Sequence, residues 1–192
     1  MNRACSVCDS TRFRVWWRPP RAPGPVVRCE ECGFVYVNPI ETDKALILDG
    51  PVLGGRSPHL LESCDLADIE GSWEQSMMEE HLREMPAKRV NARQALSRIN
   101  RLSPSRGNLL DVGCFCGVLL DVAAKDGWNC WGVEPLVIPA IHARGAFGLR
   151  IITNTLRNAG LEAGSFDVIT SFQVFEHLVR PEEEISEIRR LL

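Results

Sequence analysis

Two acidic residues, Asp111 and Glu134, each close a short apolar run, and a glycine-bearing turn follows the first of them. The run Leu109-Leu110-Asp111-Val112-Gly113-Cys114-Phe115-Cys116-Gly117 leads into an amphipathic segment at Val118, and Gly132-Val133-Glu134-Pro135 closes the next apolar run. In an open α/β sheet this is the local layout of a nucleotide-type site. Glycines let the backbone approach a ligand, and an acid at the end of the second strand accepts both hydroxyls of a ribose. Glu134 follows Asp111 at about the 20-residue distance expected when one helix separates two parallel strands.

Four cysteines offer a second kind of chemistry. Cys5-x-x-Cys8 and Cys29-x-x-Cys32 are two knuckle pairs, and two knuckles complete a tetrahedral four-thiolate site for zinc. Such a site has no open coordination position, so its Zn2+ is expected to be structural. Gly33 follows the second pair, where the turn needs a positive φ. The alternative, redox pairs or disulfides, suits an oxidising compartment rather than the cytosol. A third candidate is Glu176-His177, just past an apolar run that ends at Phe172. A histidine titrating near neutrality is suited to general-base work, with Glu176 orienting it; a helix-capping or hinge role suits the pair equally well. Cys114, Cys116 and Cys130 lack the spacing of a second metal site and read as small buried side chains. His59, His81 and His142 read as surface or packing residues.

The elements that must hold these residues alternate between strand and helix. Asn108 to Val112 reads as a buried parallel strand, and Val118 to Asp126 as a helix closed by Gly127. Cys130 to Val133 is the second strand, Ile138 to Arg144 a helix before Gly145, Arg150 to Thr153 the third strand and Phe166 to Phe172 the fourth. Pro181 opens a last helix with Glu182, Glu183 and Glu184 in its first turn and Arg189 and Arg190 in its last, which complements the helix dipole. Alternation of this kind means a parallel sheet covered on both faces. Upstream, Trp73 to Leu102 is helical in character, with a break or kink at Pro86. Pro39 to about Ser72, with its Gly50-Pro51, Gly54-Gly55 and Ser57-Pro58 turn signals, is a connector expected to fold over the active site. At the front, Val26 to Arg28 and Phe34 to Val37 read as short strands flanking the second knuckle.

The bulk numbers set limits. A chain of 192 residues with 45% hydrophobic and 24% charged residues is an ordinary globular protein. No run approaches the ~18 apolar residues of a membrane span, and Met-Asn-Arg-Ala-Cys has no apolar signal core, so the expected compartment is the cytoplasm. Residues 1–40 carry Arg3, Arg12, Arg14, Arg18, Arg21 and Arg28 against Asp9, Glu30 and Glu31, with Trp16 and Trp17 among them. Zinc with four thiolates contributes about −2, and the formal net charge of the chain is −3. These balances argue against nucleic acid as a partner; the tryptophans are expected to pack on the ribbon or the next domain, beside a solvated basic face.

The series Leu-Leu-Asp-Val-Gly-Cys-x-x-Gly (109–117), Gly-Trp (127–128), Gly-Val-Glu-Pro (132–135), Phe-Asp-Val-Ile (166–169) and Val-Phe-Glu-His-Leu (174–178), with the Glu-Ile-Arg-Arg-Leu-Leu ending, resembles the class I S-adenosylmethionine-dependent methyltransferases. A four-cysteine ribbon ahead of such a domain is similar to a bacterial group that includes sugar C-methyltransferases. The resemblance implies an incomplete Rossmann-like parallel sheet with flanking helices. It divides the chain into a zinc ribbon (1–40), a connector and helical segment (41–103) and the N-terminal part of a methyltransferase domain (104–192). It implies S-adenosyl-L-methionine as cofactor. Asp111 would orient the turn, the backbone of Gly113, Cys114 and Gly117 would pass the methionine moiety, and Glu134 would bind the ribose. Thr155 and Leu156 would lie near the adenine, with Phe172 at the end of the fourth strand. The family has a small residue where Phe115 stands, so a ring there is expected to fill cofactor space or force the loop outward. The chain stops at Leu192, before the family's remaining strands; the fourth strand is therefore expected to be an exposed edge that another chain would cover, as in a truncated or split enzyme. The expected reaction is methyl transfer to a small-molecule or sugar-type acceptor. The alternatives are an RNA methyltransferase gripping RNA with the ribbon, or a non-catalytic adaptor.

Overall fold

The computed structural model describes residues 3–20, 24–38, 73–178 and 180–192. The connector, and with it the expectation that it folds over the active site, lies outside them.

Three antiparallel strands build the front unit: β1 (Phe13–Trp17), β2 (Val26–Cys29) and β3 (Val35–Val37), in the order β1-β2-β3. β1 has no counterpart in the sequence reading, because a bulge between Val15 and Trp17 interrupts its period of two. Cys5, Val27, Cys29 and Tyr36 are buried together, with Phe13 packed against them. Trp16 and Trp17 do not pack as expected: they are 66% and 61% exposed. The register gives the reason. Trp17 pairs with Val26, on the face opposite buried Val27, and Trp16 is the extra residue of the bulge.

Helices α1 (Trp73–Arg83) and α2 (Met85–Leu102) meet at Glu84, with Pro86 in the first turn of α2, where its missing amide costs nothing. The chain then alternates through β4 (Asn108–Val112), α3 (Val118–Lys125), β5 (Asn129–Val133), α4 (Val137–Phe147), β6 (Arg150–Ile152), β7 (Val168–Ser171) and α5 (Pro181–Leu191). The four strands are parallel, in the order β6-β5-β4-β7. β7 is an edge: among the described residues β4 is its one strand neighbour.

Two cores flank the sheet. Leu109, Leu120, Ala123, Trp128 and Cys130 join Met78, Ala92 and Leu96 from α1 and α2. Leu110, Val112, Val133, Leu156 and Phe166 join Leu191, with Ile188 packed against them. Alternation along β4 sends Leu109 to one and Leu110 and Val112 to the other, and so aims Asp111 to the Leu109 side. Across the α2–α3 contact, Arg89 bonds Asp121 at 2.5 Å and Trp128 donates its ring N–H to Asn100 at 3.0 Å.

Glycines terminate two helices. Gly127 (φ 93) donates to the Ala124 carbonyl and Trp128 to that of Ala123, which closes α3 as expected. α4 does not stop before Gly145 but continues to Phe147 and ends on left-handed Gly148 (φ 65). An ideal Cβ at Gly145 meets nothing within 4 Å; an interior glycine weakens a helix without turning it. β7 is shorter than the expected run from Phe166, because the Phe166 amide goes to the Leu191 carbonyl and its side chain enters the core.

Gly117, at φ 75 before α3, has no room for a side chain: a Cβ would stand 2.6 Å from the Leu149 Cδ1 and 3.1 Å from the Ala143 Cβ. Gly117→Ala should therefore destabilise the fold by about 2–4 kcal/mol, from the left-handed backbone and overpacking together. Gly145→Ala should stabilise it by about 0.5–1 kcal/mol. Urea unfolding of both variants measures the pair, and effects of the same sign would contradict the assignment.

Candidate cofactor site and metal centre

β4 ends at Val112, and the chain turns into α3 through three left-handed residues, Gly113 (φ 68), Phe115 (φ 48) and Gly117 (φ 75). The Gly113 and Cys114 amides both donate to the Val133 carbonyl, at 2.8 and 3.2 Å, and so fasten the turn to the end of β5. Glu134, 3% exposed, follows immediately. Its Oε2 accepts the Phe115 amide at 2.7 Å and its Oε1 the Leu136 amide at 2.8 Å. Burial pushes the Glu134 carboxyl up to about 7; the Leu136 and Phe115 amides pull it down, and Asp111 and Glu74 push it further up. Asp111 is also buried, and the Thr170 hydroxyl donates to its Oδ1 at 2.7 Å. Burial pushes this carboxyl up to about 7 as well, against the Thr170 bond.

The other residues singled out from the sequence divide into two groups. Some lie open at the C-terminal ends of the strands. Phe172 is 54% exposed just beyond β7. Glu176 and His177 are exposed in a single 3₁₀ turn, Phe175–His177. A Cβ on Gly113 would lie 2.3 Å from the Val174 Cγ2, so the segment carrying His177 packs directly on the first turn. Among the described residues no hydrogen bond joins the Glu176 and His177 side chains. In the second group the side chains are buried or absent, except that of half-buried Thr155. Leu156 is buried with Leu110 and Val133. Cys114 is buried, its thiol is pushed well above the ordinary value by burial, and its Sγ lies 2.6 Å from where a Cβ on Gly132 would stand. Gly117 is covered by Leu149 and Ala143, as above. Thr155 is half-buried ahead of the short turn Leu156–Asn158, its amide donating to Asn154 Oδ1 at 2.9 Å.

The Phe115 ring is directed to α1, where it meets His81 with ring centroids 4.5 Å apart. Burial pushes His81 down to about 4, so at neutral pH an uncharged imidazole faces the phenyl ring. His81 is thus the packing residue expected of it. Its neighbour on α1, Glu74, accepts the Ile138 amide at 3.1 Å and supplies the cap that Leu136 cannot give α4. Ser171, at the end of β7 opposite Val112, carries a hydroxyl that is shielded from solvent and has no hydrogen-bond partner among the described residues. A bound ligand's polar group would satisfy it. Neither Glu74 nor Ser171 has a sequence signature: each matters through where the fold brings it.

In the front unit, the sulfurs of Cys5, Cys8, Cys29 and Cys32 all lie within 4.8 Å of one another, with Cys5–Cys32 and Cys8–Cys29 at 3.6 Å. A tetrahedral ion with ~2.3 Å bonds to sulfur sets its ligands about 3.8 Å apart, so the cluster has the dimensions of a metal centre. Each knuckle is closed the same way. Asp9 (φ 57) and Gly33 (φ 77) take the left-handed position, and their amides donate to the Cys5 and Cys29 carbonyls at 2.8 and 3.1 Å. The Cys32 amide pulls Cys29 down to about 7. Cys8, despite the lowering bond from the Ser10 backbone, is pushed up to about 12 by the Cys32 thiol, burial and the other two thiols. Four thiolates this close repel one another unless a cation lies between them.

Residues 78–192 match the methyltransferase domain family, and the chain belongs to it. Over 90 residues it is 31% identical to a ubiquinone biosynthesis O-methyltransferase of Cronobacter sakazakii, covering 44% of this chain and 37% of that enzyme. The counterpart from Vibrio campbellii is 37% identical over 79 residues, 38% of this chain and 34% of that enzyme. The chain thus spans 34–37% of the length of these relatives. Among solved structures, an S-adenosylmethionine-dependent methyltransferase of Thermotoga maritima, described as a possible histamine N-methyltransferase, is similar with a TM-score of 0.50 and 25% identity, over 62% of this chain and 55% of that one. The plantazolicin methyltransferase BpumL in complex with SAH shares the fold with a TM-score of 0.51 at 19% identity, over 70% of this chain and 51% of that one. No described helix is long and apolar enough to cross a membrane.

The raised Asp111 pKa makes a pH-dependent prediction. The fold favours the protonated form, so its advantage is fully present below the unfolded value near 3.8 and is lost as pH rises through about 7. Asp111→Asn keeps an acceptor for Thr170 and removes the buried charge. At ~1.4 kcal/mol per unit it should stabilise the protein at pH 8 by up to about 4 kcal/mol, fading toward pH 4. Urea unfolding across that range tests it; an equal gain at both ends would point to something other than the charge.

Proposed function

We propose that this chain is part of an enzyme that transfers the methyl group of S-adenosyl-L-methionine to a small-molecule acceptor, such as a sugar-type ring. The observation that carries the reading is Glu134, a buried carboxylate at the end of β5 bonded to the left-handed turn after β4. A carboxylate has about four acceptor positions; the Phe115 and Leu136 amides use two, and two remain for a ribose diol. The Gly113, Cys114 and Gly117 backbone would pass the methionine moiety, with Asp111 holding the turn and Ser171 offering its unpartnered hydroxyl. Thr155 and Leu156, through their backbone, would flank the adenine, and Phe172 offers an exposed ring beside it. When bound, the cofactor supplies a sulfonium carbon open to in-line displacement. The chain's own work is then to position the acceptor and take up its proton. His177 is assigned as the general base, carried on the segment that packs on Gly113, with Glu176 as its positioning partner. The relatives named for ubiquinone biosynthesis and O-methyl transfer support a small organic acceptor over a macromolecule.

The four-cysteine centre is proposed to hold one structural Zn2+, in a cytosolic setting that keeps the thiols reduced. Chelation should release one zinc per chain, and Cys29→Ser should unfold the ribbon, read by metal analysis and proteolysis. Ordered, protease-resistant residues 1–40 after complete metal removal would refute the assignment.

Calorimetric titration with S-adenosylhomocysteine tests the cofactor site. Saturable binding is expected, weakened about 100-fold by Glu134→Ala through loss of charge-assisted hydrogen bonds and unchanged by His177→Ala. Absence of heat at millimolar ligand, in a demonstrably folded sample, would overturn the assignment.

A further inference from the structure

The outward face of the ribbon carries chemistry that methyl transfer does not use. Arg14 of β1 and Arg28 of β2 stand directly opposite each other, and Val35 of β3 completes the row. Like charges opposed across neighbouring strands destabilise a sheet. Among the described residues neither arginine has a carboxylate partner, whereas Arg12 nearby is paired with Glu31. In the next row Trp17 stands opposite Val26, and Trp16 is the extra residue of the bulge that precedes it. Both indoles are open to solvent, and no acidic residue occurs in any of the three strands. The thiolate cluster lies on the other face, with Cys29 and Val27. The charge balance that argues against nucleic acid at sequence level therefore averages over two faces that the fold keeps apart.

We propose that this face binds single-stranded nucleic acid, with bases stacked on Trp16 and Trp17 and phosphates paired to Arg14 and Arg28. Exposed indoles present flat π surfaces that any base can cover, and guanidinium groups meet phosphate through two parallel hydrogen bonds. A single strand brings rings and phosphates in alternation, which matches arginine and tryptophan rows on adjacent steps of a sheet. A duplex hides its base faces. An acidic protein would neutralise the arginines and leave the indoles without a flat partner. The proposal rests on the ribbon alone and is independent of the methyl-transfer reading.

The test is fluorescence anisotropy of a labelled oligouridylate of about 12 nucleotides, within the length range a single-strand platform covers, titrated with the full metal-loaded chain at low salt. Saturable binding is expected, without competition by duplex RNA. Trp16→Ala and Trp17→Ala should each weaken it roughly tenfold. Arg14→Gln with Arg28→Gln should lower the slope of log affinity against log salt by about 1.4, the share of two phosphates on a single strand. All four side chains are exposed, and metal stoichiometry and circular dichroism verify that the variants fold. No anisotropy change at ~100 μM protein, the range of non-specific binding, would overturn the proposal. So would binding indifferent to both tryptophans, or competition by polyglutamate as effective as by unlabelled oligouridylate, which would assign the face to an acidic protein.

Discussion

The mouth of the sheet depends on one carboxylate. Glu134 accepts an amide from the turn after β4 with one oxygen and an amide from the entry to α4 with the other. The Phe115 bond is worth the most, because it holds a bulky residue at φ 48. A left-handed conformation costs an L-residue roughly 1–2 kcal/mol, and a hydrogen bond to a charged group contributes about 1.5–3 kcal/mol, so the second offsets the first. The Leu136 bond reaches the other side of the cleft, where Glu74 of α1 caps the next amide, Ile138. Strand end, turn and helix entry are thereby tied to one buried carboxyl, and Glu74 ties the covering helix to the same entry. The same burial that raises the Glu134 pKa keeps water from competing for these bonds.

Much of this was legible in the amino-acid order, for a physical reason. Parallel strands covered on both faces are continuous apolar runs, so β4, β5 and β7 stand out between polar segments. Helix ends were legible where a glycine turns the chain: Gly127 completes a pair of capping bonds. Gly145 carries the same letter without the conformation, and the helix passes through it. β1 stayed hidden because its bulge spoils the alternation by which a half-buried strand is recognised. The site was legible as positions and less so as side chains. Leu156 and Cys114 fall where the family resemblance puts cofactor contacts, yet their side chains point into the cores. Ser171 and Glu74 become visible only once β7 lies beside β4 and α1 beside α4.

Phe115 shows how a departure from the family pattern is absorbed. The sequence offered two outcomes, a ring in the cofactor's space or a loop pushed outward. In the fold the Phe115 ring lies against His81 of α1. The backbone keeps the left-handed turn that a small residue would adopt, and the ring leaves toward α1 to pack on His81. Burial of the imidazole against the ring disfavours its charged form and so holds His81 neutral. Phe115 and His81 thus join the first turn to the first helix through one ring contact.

The ribbon follows a different logic from the sheet. Among the described residues its apolar core is Cys5, Val27, Cys29 and Tyr36, and two of these belong to the four-cysteine cluster. A unit of that size buries little apolar surface, and an ion held by the four cysteines would supply stability that packing does not. With such an ion fixing the fold, the outward face would be released from any duty in the core. The short strand β1 exposes two tryptophans next to opposed arginines and shifts its register at the bulge between Val15 and Trp17. In a domain stabilised by burial the same residues would be drawn inward or replaced. Exposed indoles carry a solubility cost, and here nothing in the stability of the ribbon requires it. The exposed indoles and the opposed arginines are the groups that the proposed ligand would meet on this sheet face.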